Sequence, residues 1–208
     1  MRQRPILLKK LIHKNSGRVR EVIGLIGTHR GVGVTHTGLM LAFYMGGELG
    51  RKTAFLECNH HRDMECIQNA YEWDRETEDS FSYGQLTCYK GVQSKQIVDI
   101  YSEDFDCIIM DLGTDYLGNR EEFIRCTLKI VVGGPSEWDF PKLLHFEESL
   151  DIGPDSNSWL FLIPLATQER AKKIRKELQQ RVWSVPFIED PTVPYITANQ
   201  LFRRIVHS

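Results

Sequence analysis

The sequence predicts an α/β fold, a doubly wound and mostly parallel sheet flanked by helices in three layers. Three observations predict it. The strand-like runs are apolar throughout rather than alternating, which marks strands covered on both faces. They alternate with helix-like segments, the pattern of successive right-handed crossovers. An early apolar run also passes through a Gly-rich turn straight into an apolar helix. In a parallel sheet that turn lies at the C-terminal edge, where ligands bind. The length of 208 residues suits one such domain.

Taken in order, residues 1–20 form a basic N-terminal appendage and 21–208 the α/β domain. Residues 22–28 (VIGLIGT) read as the first strand, and 35–49 as the apolar helical stretch after the turn. Residues 52–58 (KTAFLEC) are the next strand, followed by an acidic region over 63–79 that reads as a solvated face. Residues 83–89 are a weaker strand, and 94–101 a short helix. Residues 106–113 (DCIIMDLG) and 128–133 (LKIVVG) are strong buried strands, and 140–150 has helical spacing. Residues 159–165 form another strand and 168–181 a basic helix without Gly or Pro. A short strand over 182–188 and a helix over 198–206 close the chain. Residues 152–158 and 190–194 are loops, and neither divides the chain into two cores.

Composition excludes several classes. With 41% hydrophobic and 26% charged residues, the chain is neither collagen-like nor low-complexity nor wholly disordered. Its longest apolar stretches, such as 159–166, are too short to span a bilayer as a helix. The apolar core of the first twenty residues, 5–8, is too short for a secretory signal, so the expected location is cytoplasmic. A net charge of −2 gives no global drive towards nucleic acid, so any such contact needs a local patch. Two patches qualify. The appendage carries Arg2, Arg4, Lys9, Lys10, Lys14, Arg18 and Arg20 around Ile6, Leu7, Leu8, Leu11 and Ile12. It reads either as an element packed on the domain or as an amphipathic contact to anionic membrane or an acidic partner. The helix carrying Arg170, Lys172, Lys173, Arg175 and Lys176 reads as a solvated face, with DNA or partner binding the alternative. The five cysteines, an odd number without a C-x-x-C pair, read as reduced structural thiols. A zinc site on Cys58, His60, His61 and Cys66 matches no standard finger spacing.

Most of the chemistry lies in the turn after the first strand, Gly27-Thr28-His29-Arg30-Gly31-Val32-Gly33-Val34-Thr35-His36-Thr37. Gly31 and Gly33 let backbone amides approach an anion, and the following helix N-terminus adds unpaired N–H groups and a positive dipole end. Thr35 and Thr37 are candidates to cap that helix, and Thr35 alternatively to reach Mg²⁺. The plain alternative is a tight strand–helix turn with no ligand. His29, His36, His60 and His61 are candidate phosphate or partner contacts, or else solvated loop residues.

These residues resemble the deviant Walker A loop of the MinD/ParA class of P-loop ATPases, whose pattern is lysine-Gly-Gly-x-Gly-lysine-Thr. His29 stands at the first lysine, Arg30 at the first glycine and Val34 at the second lysine. Gly31, Val32, Gly33 and Thr35 match. Residues 106–113 resemble the family's Walker B strand, with Asp111 and Gly113 matching. Residues 128–137 resemble its next strand and Pro-Ser-Glu turn. Residues 185–191 resemble the late strand and loop that contact adenine. The resemblance implies a site for ATP or ADP with Mg²⁺. Thr28, His29, Arg30, Gly31, Val32, Gly33, Val34, Thr35 and His36 would form the cradle, with Pro186 and Ile188 near the base. Thr35 and Asp111 would serve Mg²⁺, and Asp63 and Asp111 are the candidate catalytic carboxylates. Glu57 stands where the family has a second-strand Asp. Because both lysines are missing, the implied protein is a degenerate regulator or scaffold with weak or no ATP hydrolysis. It would act through a homodimer and protein partners, as do the family's pilus- and secretion-associated localisation factors. A slow ATPase in which Arg30 compensates for Val34, and an interaction protein without nucleotide, are the alternatives.

Overall fold

In a computed structural model, residues 20–71, 73, 77–150 and 159–206 are described. The described chain forms eight strands and seven helices. In order these are β1 (Glu21–Gly27), α1 (Val34–Phe43), β2 (Thr53–Glu57), α2 (Asp63–Tyr71), β3 (Ser80–Tyr83), β4 (Leu86–Tyr89) and α3 (Ser94–Ser102). There follow β5 (Cys107–Asp111), α4 (Tyr116–Arg125), β6 (Leu128–Val132), α5 (Phe140–Glu148), β7 (Trp159–Pro164), α6 (Gln168–Leu178), β8 (Val182–Val185) and α7 (Ile196–Val206).

The sheet order is β3-β4-β2-β5-β1-β6-β7-β8. Every pairing is parallel except β3 with β4. The predicted doubly wound sheet is therefore present. From β1 the chain moves to β2 on one side, whereas β5 is followed by β6 on the other. The crevice at the C-terminal ends of β1, β5 and β6 is thus the switch point where such sheets bind ligands.

Continuous apolar runs fill two cores because successive side chains of a strand face opposite ways. In β1, Ile23 and Leu25 join the core under α1 and α7, whereas Val22 and Ile26 join the one under α3 to α6. Helix α1 has almost every residue buried, as an all-round apolar helix must. It runs on into a π-turn over Tyr44–Glu48.

Several boundaries differ from expectation. The single strand expected over 83–89 is a hairpin, because Gly84 and Gln85 turn the chain between β3 and β4. Helix α6 stops at Leu178 rather than 181, since Gln179 takes a left-handed conformation and Val182 then pairs in the sheet. Strand β8 ends at Val185, where Pro186 has no N–H to continue the ladder. Helix α4 had no expected counterpart. The loop expected at 152–158 lies outside the described residues, as does the appendage except Arg20. That guanidinium donates to the carbonyls of Tyr101, Glu103 and Phe105, closing the bottom of the sheet.

Phe55 on β2 is fully buried in the core beneath α1. Phe55→Ala is expected to cost about 3–5 kcal/mol of unfolding free energy, measurable by urea denaturation with an unchanged m-value.

Candidate functional site

The turn between β1 and α1 sits at the switch point. Its base is pinned to both neighbouring strand ends. The Gly27 amide donates to the Gly113 carbonyl (2.8 Å) and the Thr28 amide to the Val132 carbonyl (3.0 Å). Gly31 and Gly33 have φ of +85° and +91°, which disfavours any other residue, and a Cβ on Gly31 would point into open space. Gly33 is the N-cap of α1, and no side chain caps this end. The expected capping by Thr35 or Thr37 is therefore corrected. With a glycine cap, the first amides of α1 have no acceptor within the helix. They border a cavity of about 340 Å³ lined by residues 29–36 together with His61, Asp63, Gly113 and Thr114.

Thr35 does something other than capping. Its hydroxyl lies 2.6 Å from Asp111 Oδ2 and 3.1 Å from Asp63 Oδ2. A hydroxyl has one proton, so it donates to one carboxylate at a time. Asp111 ends β5 fully buried, and its other oxygen accepts the Gly113 amide at 2.9 Å. Burial pushes the Asp111 carboxyl above the ordinary range. The Thr35 and Gly113 hydrogen bonds oppose this, Asp63 adds to it, and His61 opposes it without cancelling the rise. Two carboxylates and a hydroxyl converging beside an amide-lined cavity fit Mg²⁺, a hard cation taken by oxygen ligands. Among the described residues, no group of three or more His, Cys, Asp or Glu makes a stand-alone metal centre. Three oxygen donors leave much of an octahedral shell open, so phosphate and water would complete it.

Several expected residues have other surroundings. Val34 is nearly buried, and a Cβ on Gly27 would fall 2.7 Å from its Cγ2, so it forms an apolar wall. His29 lines the cavity, but its Nε2 lies 3.2 Å from Asp139 Oδ1 and its Nδ1 2.9 Å from Thr28 Oγ1. Arg30 is exposed at the cavity wall and makes no hydrogen bond or ion pair among the described residues. His61 joins the cavity lining, whereas His60 is an exposed neighbour outside it. Glu57 is buried, accepting the Met64 and Gly91 amides, and borders a different cavity. Burial lifts its carboxyl above the ordinary range despite those amides.

Pro186 and Ile188 do not line the cradle, and Ile188 is part of the core under α7. The same loop instead brings Pro191 and Thr192 to a second cavity of about 330 Å³, which shares Thr35, His36 and Asp63 with the cradle and adds Leu39, Ile67 and Tyr71. Sequence reasoning missed Asp139, whose only local signal is an acid just before the Phe-Pro start of α5. The grouping of Cys58, His60, His61 and Cys66, which matches no finger spacing, forms no metal-holding cluster among the described residues either. Cys58 is buried with its thiol pushed well up, mainly by desolvation, whereas Cys66 is exposed on α2. On α6, Arg170 binds the Pro135 and Ser136 carbonyls and Glu137. Arg175 binds the Val182 carbonyl and covers Trp183, so both arginines of that basic face have structural partners.

The chain has the fold of the MinD/ParA group of P-loop ATPases. A Borrelia burgdorferi plasmid partition protein bound to AMPPNP superimposes with a TM-score of 0.63 at 10% identity, over 90% of this chain and 97% of that one. The Pyrococcus horikoshii septum site-determining protein MinD complexed with Mg-ADP gives 0.61 at 13% identity, over 89% and 94%. A chain of the Aquifex aeolicus MinC:MinD cell division protein complex gives 0.64 at 16% identity, over 90% and 96%. No family model and no curated protein matches the sequence.

The raised Asp111 carboxyl has a consequence for stability. Its contribution is full below the ordinary carboxylate range and lost as pH rises through the raised value. Asp111→Asn removes that loss, and its amide can donate to Thr35 while Thr35 donates to Asp63. The ligand-free variant is expected to melt about 2–4 °C higher than wild type near pH 8. Thermal melts towards pH 4 should show the difference closing as Asp111 takes up its proton.

Proposed function

We propose that this chain binds ATP or ADP with Mg²⁺ in the cradle and acts as a regulatory or scaffold protein with little or no hydrolysis. One observation carries the reading. At a helix N-terminus opened by Gly31 and Gly33, the Thr35 hydroxyl lies between two carboxylates that it cannot both satisfy. The α1 amides and Arg30 would hold phosphate oxygens. Thr35 and Asp111 would hold the cation, with Asp63 accepting from its water shell. Mg²⁺, when bound, supplies positive charge beside the phosphates. The base would enter the second cavity, against Leu39, Ile67, Tyr71 and Pro191.

Weak hydrolysis follows from Val34. An aliphatic wall offers nothing to charge developing on a transferring phosphoryl group, a loss on the order of 10²–10³ in rate by analogy with a missing oxyanion donor. Regulation through partners is supported by the fold shared with MinD, which one solved structure holds in complex with MinC. The homodimer is part of the same proposal. No described helix is long and apolar enough to cross a membrane.

Calorimetric titration with ATP and ADP tests the reading. Micromolar binding that requires Mg²⁺ is expected, abolished by Gly33→Arg, which fills the cradle. Absence of heat at millimolar nucleotide would overturn it and leave an interaction protein without nucleotide. Slow turnover is the second reading, favoured by Arg30, which has no partner among the described residues. It predicts Mg²⁺-dependent phosphate release that disappears in Arg30→Ala and Thr35→Ala.

A further inference from the structure

We propose that this site does not select its purine, and takes guanine nucleotides about as well as adenine nucleotides. The proposal rests on the nucleotide reading above and widens the class of ligand for the same site.

One purine is told from another by its edge, because both present the same kind of apolar face. Where adenine carries an amino donor, guanine carries a carbonyl acceptor. A site separates them strongly only by aiming its own donors and acceptors at that edge, whereas an apolar pocket separates similar ligands weakly. The second cavity offers Leu39, Ile67 and Pro191 and the ring of Tyr71. Its residues Thr35, His36 and Asp63 also line the cradle, so they stand at the phosphate end. Cys66 carries only a weak donor and is exposed.

The loop after β8 remains, and its donors are absent or spent. Pro191 and Pro194 have no N–H. The Val193 amide donates to the Asp190 carbonyl at 3.3 Å. The Thr192 amide and hydroxyl donate to Asp190 Oδ1 at 2.9 and 2.7 Å, and the Tyr71 hydroxyl joins them there at 2.8 Å. One carboxylate oxygen thus gathers three donors that border the cavity. Desolvation alone would raise the Asp190 carboxyl, but Thr192, Tyr71 and His36 outweigh it and hold it below the ordinary range. It is therefore ionised and accepts only. Tyr71 is fixed a second time by stacking on Trp73, with ring centroids 4.9 Å apart. The amides of Leu39, Ile67 and Tyr71 serve their own helices. A base in this cavity would be gripped by its faces. Its edge would stay with water at the rim, where Tyr71 is 38% exposed.

The experiment titrates the full chain calorimetrically with Mg·ADP, Mg·GDP and Mg·pyrophosphate. Wild type should bind ADP and GDP within about tenfold of each other, and pyrophosphate more weakly than either. Ile67→Ala thins the apolar wall and should weaken both nucleotides about three- to tenfold while pyrophosphate is unchanged. Ile67→Val should act the same way by less, and serves if the alanine variant fails to melt cooperatively. Asp190→Ala releases the three donors and should move the ratio about threefold or more towards GDP, whose edge accepts where that of ADP donates. Asp190→Asn keeps an acceptor for them and should hold the ratio near that of wild type. A wild-type preference beyond about tenfold for either purine overturns the proposal and leaves the nucleotide reading standing. So does an Ile67→Ala variant that weakens neither nucleotide, or a ratio that Asp190→Ala does not move. No heat with any of these ligands in wild type overturns both.

Discussion

Thr35 carries a single hydroxyl proton, and the fold places two carboxylates within reach of it. Much of the site follows from that mismatch. Asp111 is fixed by the end of a buried strand and by the Gly113 amide, so it cannot turn away. Asp63 is fixed by opening α2. Together they set an unbalanced negative charge against the amide-lined end of α1. Water screens such a charge poorly at a buried position. Arg30 on the cavity wall is exposed and has no partner among the described residues. A divalent cation would remove the imbalance and at the same time make the cavity receptive to polyphosphate. The acidic pair and the glycine turn are then two halves of one device.

The sheet supplies the geometry. β1 lies between β5 and β6, and the turn is tied to the ends of both through the Gly27 and Thr28 amides. The cradle is thus held by buried strands rather than by its own side chains, and its residues can change while its shape is kept. Val34 illustrates this. Its side chain packs over Gly27, and no side-chain bond is needed to hold the helix start. A loop of this kind can lose a charged residue and keep its backbone.

Most of the fold was legible in the sequence because parallel strands covered on both faces are unbroken apolar runs. The misplacements have local physical causes. The β3–β4 hairpin was read as one strand because its residues are mixed and short. The end of α6 was overrun because a left-handed Gln179 has no glycine to announce it. Helix α4 was missed since its exposed face carries Arg120, Glu121 and Glu122 and its buried residues are few. Within the site, Thr35, Asp63 and Asp111 were legible as chemical types at the ends of strands and the starts of helices. Their meeting was not, because it joins residues 28 and 76 positions apart. Asp139 was invisible for the same reason, and His29 alone gave no sign that its ring would be turned towards it. Neither of the two residues offered for a base, Pro186 and Ile188, lines the cradle. Ile188 is drawn into the core, and Pro191 faces the second cavity instead.

Backbone hydrogen exchange tests the central claim most directly, because the cradle is made of amides. With Mg·ADP added, slowed exchange is expected over residues 29–36 and 111–114, and magnesium alone should protect the second of these more than the first. Nucleotide binding that leaves residues 29–36 unprotected, with protection appearing elsewhere on the chain, would contradict the account.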